Sequence, residues 1–98
     1  MRIYISGPIT GIDNYKEIFR EAEERTAASG HDVINPAELN DVLPDLEYEE
    51  FMRLDFALLD LCDAILMLDG WVNSKGATRE YYYAKAKGIR VIFDEFNK

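Results

Sequence analysis

Four short β-rich runs recur along this chain, and a stretch of other character, mostly of helical periodicity, separates each from the next. Arg2–Ser6 alternates like a strand. From Tyr15 the residues Tyr15, Ile18, Phe19, Ala22 and Thr26 keep helical spacing; Asp13 or Asn14 offers an N-cap and Gly30 a stop. Asp32–Asn35 reads as a second strand ending before Pro36. The segment Pro36–Leu46 is rich in Asn, Asp and Pro and reads as a loop with at most a helical turn; loops of that length are often functional lids. A second helix spans about Glu47–Asp60, a third strand Ala64–Leu68, a third helix about Ala77–Lys87 closed by Gly88, and a fourth strand Ile89–Phe93.

The order β-α-β-α-β-α-β predicts a parallel sheet with right-handed crossovers. We therefore expect a flavodoxin-like three-layer α/β sandwich whose four parallel strands run in the order 2-1-3-4. Strands 1 and 3 would then lie side by side at the switch point, where open α/β sheets bind ligands. Two suspicious loops leave those two strands: Ser6-Gly7-Pro8-Ile9-Thr10-Gly11 after the first and Ser74-Lys75-Gly76-Ala77-Thr78-Arg79-Glu80 beyond the third. Facing each other they would make a small-ligand cleft. Ser6, Gly7, Pro8, Ile9, Ser74 and Gly76 are its expected lining. Asp69 and Trp71, just past the third strand, are expected to face it too; Trp71 could stack on a planar group, or shield core or a subunit contact.

Size and charge narrow the partners. With 98 residues, 48% of them hydrophobic, the chain reads as one globular domain spanning residues 1–98. Eleven Lys and Arg against 19 Asp and Glu leave a net charge of −8, which repels a nucleic acid polymer but not a single nucleotide held by local donors. No apolar run approaches the ~20 residues of a membrane span, and the N-terminus lacks a signal-peptide pattern. Cys62 and His31 are the only residues of their kinds, so no Cys/His metal constellation can be assembled and no metal or cofactor is expected; one cysteine fits a cytoplasmic location.

Two carboxylates stand out. At ~100° per residue, Tyr48, Phe51, Met52 and Leu59 share one helix face, and Asp55 falls in the middle of that apolar stripe. Such an acid needs hydrogen bonds or a solvated cleft; it reads either as a structural group bonding loop amides or as the cleft floor. Glu80 flanks the stripe of Ala77, Tyr81 and Ala84. Alone it would be a first-turn glutamate favoured by the helix dipole, but the Gly-containing loop before it directs it toward the cleft. Tyr4, inside the first strand, could orient Glu80 or simply pack. The run Tyr81-Tyr82-Tyr83 covers more than one helix face and suits an oligomer interface.

Taken together, the Tyr4–Gly11 stretch, Asn35-Pro36, Asp55 within Met52-Arg53-Leu54-Asp55, Asp63-Ala64-Ile65 and the Ser74–Glu80 stretch resemble the nucleoside 2-deoxyribosyltransferase superfamily over nearly the whole chain. The likeness is greatest to a small bacterial and phage branch; the 2′-deoxynucleoside 5′-phosphate N-hydrolases are relatives. The resemblance implies cleavage of the N-glycosidic bond of a (deoxy)nucleoside or nucleoside monophosphate, by transfer to another base or to water. It implies Glu80 as nucleophile, Asp55 as base-side acid or positioning group, and Tyr4 as the hydroxyl that aims Glu80. Ser74 matches a position that contacts the 5′-phosphate in the nucleotide hydrolases. Pro8 and Thr10 stand where those hydrolases carry a serine and a phosphate-binding arginine, which favours a free nucleoside. The chain is also shorter than typical members, without a fifth strand. A homodimer or larger homo-oligomer is expected by analogy, because a neighbouring subunit usually completes the site. Two other readings stay open: a catalytically silent nucleoside- or nucleotide-binding module on this fold, and an enzyme acting on another N-glycoside.

Overall fold

The computed structural model describes residues 1–94. Its elements run β1 (Arg2–Ser6), α1 (Tyr15–Ala28), β2 (Asp32–Ile34), a 3-10 turn (Pro36–Glu38), α2 (Leu39–Val42), α3 (Tyr48–Leu59), β3 (Ala64–Met67), a second 3-10 turn (Trp71–Asn73), α4 (Lys75–Lys87) and β4 (Arg90–Phe93). All strand pairs are parallel and the order is β2-β1-β3-β4, the flavodoxin-like arrangement. Ile3 lies opposite Ala64 and Ser6 opposite Met67, so β1 and β3 end together at the same sheet edge.

Alternation along β1 divides its side chains between two cores. Ile3 and Ile5 join Leu66, Phe19 and Ala22 beneath α1. Tyr4 turns the other way, with Ile65, Met67, Leu59, Ala77 and Ala84, into the layer built by α3 and α4. Because residues two apart share a face, Ser6 follows Tyr4 toward α4. That parity aims both hydroxyls at the same helix.

Three local features shape the carboxyl edge of the sheet. Gly7 sits where any larger residue would collide, since a Cβ there would stand 2.9 Å from Leu68 Cβ. Leu68 caps β3, its N–H donating to Ser6 O at 2.8 Å, so the two loops leave the sheet tied together. Gly70 then turns the chain at φ +84, a left-handed conformation open to glycine at little cost.

The Pro36–Leu46 stretch is more ordered than its composition predicts. Asn35 Oδ1 accepts from Ala37 N at 3.0 Å, starting a 3-10 turn with Pro36 at its first position, and the short α2 follows directly. Helix α4 begins two residues earlier than its apolar spacing suggested, because Ser74 is its N-cap: Ala77 N donates to Ser74 Oγ at 3.2 Å. No helix among the described residues is long and apolar enough to cross a membrane.

Candidate active site

Glu80 occupies the second turn of α4 and is only 6% exposed. A carboxylate so far from water needs partners, and it has them on β1. Tyr4 Oη donates to Glu80 Oε2 at 2.5 Å, and Ser6 Oγ donates to Oε1 at 2.6 Å. Asp55, half-buried on α3, stands close enough to Glu80 and Tyr4 to perturb the ionisation of both. Four side chains from three elements therefore converge on one point.

The electrostatics follow from this crowding. Burial, reinforced by the charge of Asp55, pushes the Glu80 carboxyl up to about 8, against the opposing pull of the Ser6 and Tyr4 hydroxyls. Burial also raises Asp55, with its polar neighbours Glu80 and Tyr4 pulling the other way. The Tyr4 phenol is held well above its ordinary range by burial and by the two acids, so it stays a neutral donor. With its proton affinity raised to about 8, the Glu80 carboxyl retains a proton at neutral pH beside Asp55.

The pair opens onto space. A cavity of about 180 Å³ is floored by Asp55, Ala77 and Glu80 and walled by Gly7, Ile9 and Thr10 on one side and Tyr48, Phe51 and Met52 on another. The apolar stripe of α3 thus faces a void at its N-terminal end, which is why an aspartate sits within it. Thr10, Tyr48, Ser74 and Gly76 line both this cavity and a wider outer one of about 590 Å³, which adds Pro8, Asn73 and Lys75. Tyr48 stands between them, with Lys75 Nζ 5.1 Å from its ring centroid and the Arg79 guanidinium at 5.6 Å.

Most of the residues expected at the cleft come together here. Gly7, Ile9, Asp55, Ser74, Gly76 and Glu80 line the inner cavity, Pro8 the outer one, and Tyr4 and Ser6 reach Glu80 from below. Two do not. Asp69 is exposed and lines neither cavity. Trp71 packs against Tyr81 with ring centroids 4.6 Å apart and stacks on Phe93 at 6.0 Å, because the turn at Gly70 carries it to the outer flank of α4 and β4. It lines neither cavity. The tyrosine run divides similarly: Tyr83 stacks on Phe56 and donates to Asp60, Tyr81 lies under Trp71, and Tyr82 is exposed. Pro36 and Asn40 were not anticipated as lining; the one hint in the sequence is that they fall in the long polar segment marked as a possible lid.

Fold and site together define an α/β domain with a buried glutamate and a neighbouring aspartate at the topological switch point of a parallel sheet. The family described as Domain of unknown function (DUF4406) matches residues 1–93, and the chain belongs to it. Among solved structures it is similar to a 2-deoxyribosyltransferase from the psychrotolerant bacterium Bacillus psychrosaccharolyticus. The TM-score is 0.74 at 21% sequence identity, covering 95% of this chain and 71% of that one. That likeness establishes a shared fold. No curated protein matches the chain.

Proposed function

We propose that this protein cleaves the N-glycosidic bond of a nucleoside or nucleoside monophosphate, with Glu80 as the nucleophile. The observation that carries the reading is a buried glutamate lining a cavity, gripped by two hydroxyls beside a second acid. A merely structural glutamate would not be left facing a void. The fold shared with a 2-deoxyribosyltransferase supports the same reading.

The chemistry uses the Glu80 proton. As the bond between the anomeric carbon and the base nitrogen breaks, positive charge develops at that carbon. The proton passes from Glu80 to Asp55; ionised Glu80 then attacks that carbon, forming a carbon–oxygen bond, while Asp55 gives the proton to the departing base. Tyr4 and Ser6 each hold one Glu80 oxygen, fixing the plane of the carboxylate before attack. In the second stage water or another base attacks the anomeric carbon, the ester bond to Glu80 breaks, and the attacker's proton returns to Asp55. Atoms and charge balance over the cycle.

The test is to incubate the protein with deoxynucleosides and their monophosphates, with and without an acceptor base, and to measure free base and new nucleoside by chromatography. Base release without transfer indicates a hydrolase; transfer indicates a transferase. Glu80→Gln should abolish release while still binding ligand. Binding without turnover by the wild-type protein would instead make it a silent module, and normal turnover by Glu80→Gln would remove Glu80 from the chemistry.

A further inference from the structure

The inner cavity has two unlike ends. Thr10, Tyr48, Ser74 and Gly76 mark the end that opens into the outer cavity, and Asp55 and Glu80 form the floor. Away from that opening the walls are Ile9, Pro36, Phe51 and Met52, which are apolar, with a single exception. Asn40, half-buried on α2, lines this end, and among the described lining residues it is the only side-chain amide there. An apolar slot with one amide suits a flat heteroaromatic ring recognised along one edge.

The amide is held in place. Asn40 Nδ2 donates to Tyr15 Oη at 3.2 Å, and the Tyr15 ring meets fully buried Phe19 edge-on with centroids 6.5 Å apart. One N–H is thereby spent. A second N–H and the carbonyl oxygen remain, one donor and one acceptor. We infer that the Asn40 carboxamide, aimed by Tyr15, reads the hydrogen-bonding edge of the nucleobase and sets which bases this protein accepts. The inference rests on the proposed nucleoside chemistry and deepens it: Asn40 is a specificity residue, and Tyr15 is a positioning residue.

The experiment measures binding of six free bases (adenine, cytosine, guanine, hypoxanthine, thymine and uracil) by calorimetry, for the wild type, Asn40→Asp, Asn40→Leu and Tyr15→Phe. Asn40 is half-exposed, so its variants should fold, which a thermal scan checks. A good paired contact with a base edge discriminates by roughly 5- to 150-fold. Asn40→Leu should flatten the ranking of the bases to within about threefold on losing that contact. Asn40→Asp keeps the acceptor but loses the donor. It should shift preference by about tenfold toward bases with an exocyclic amino group over those offering a carbonyl. Tyr15→Phe should blur the ranking partly while leaving the thermal midpoint nearly unchanged. An unchanged ranking in both Asn40 variants, or no base binding to the wild type at millimolar concentration, overturns the inference. Turnover is scored separately: bases that bind selectively through Asn40 without any glycoside being cleaved would sink the enzymatic reading and leave this one standing.

Discussion

Replacing Glu80 by Gln should make the protein more stable at alkaline pH, and the size of the effect follows from the site. An acid with its folded-state pKa raised to about 8, and an ordinary value near 4.5 when unfolded, binds more protons folded than unfolded between those limits. Its contribution is therefore most favourable below about 4.5 and is lost as the pH climbs through about 8. At about 1.4 kcal/mol per pH unit, the loss is bounded near 5 kcal/mol. Interaction with Asp55 spreads the titration over the pair, so about 2–3 kcal/mol is the expected penalty. Glutamine keeps the shape and can still accept from Tyr4 or Ser6, but never ionises. Thermal unfolding followed by circular dichroism from pH 5 to pH 9 would measure this. Since about 1 kcal/mol moves the midpoint by roughly 4–8 °C in a domain this size, Glu80→Gln should gain about 10 °C on the wild type at pH 9 and almost nothing at pH 5. Curves that stay parallel across the range would show that Glu80 is not forced to ionise in a hostile environment, and the account of the acid pair would fall.

Three further outcomes are expected. Asp55→Ala should fold normally but lose about 10²–10⁴ in base release; in the wild type, turnover should fall as pH rises through about 8, when the pair gives up its proton, and this limb should vanish in the variant. Collapse of its thermal transition would instead mark Asp55 as structural. Gly7→Ala should cost about 1–3 kcal/mol in a denaturant titration, because its Cβ would lie 2.9 Å from Leu68 Cβ and force the loop outward; a neutral result would mean that the loop yields freely. Trp71→Ala should lower stability by about 1–3 kcal/mol through loss of its contacts with Tyr81 and Phe93, yet leave kcat/KM for base release unchanged well below the transition. A collapse of kcat/KM would return Trp71 to the substrate.

Local pattern carried a long way here because helix and strand periodicities are short-range physics. The spacing of Ile18, Phe19 and Ala22 announces α1, and the alternation Ile3-Tyr4-Ile5-Ser6 announces both β1 and the shared direction of Tyr4 and Ser6. Asp55 was conspicuous because an acid in an apolar stripe demands an explanation. Asp69 and Trp71 line neither cavity, since lying just past a switch-point strand places the backbone near the cleft but does not decide which way the next turn swings. Gly70 sent Trp71 outward. Asn40 gave no signal beyond its place in the long polar segment: an asparagine there looks like any other until Tyr15 and the cavity wall are seen around it.

Order of elements, strand parity and the suspicion attached to two acids are thus properties of the linear chain, set by repeat lengths of 2 and about 3.6 residues. The meeting of Tyr4 and Ser6 with a glutamate 76 and 74 positions away is not. It depends on β3 settling beside β1 and on α3 and α4 packing over the same face, and only long-range burial decides that. The raised proton affinity of Glu80 belongs to this second category as well, because desolvation is a property of everything that surrounds a group and of nothing in its own sequence neighbourhood.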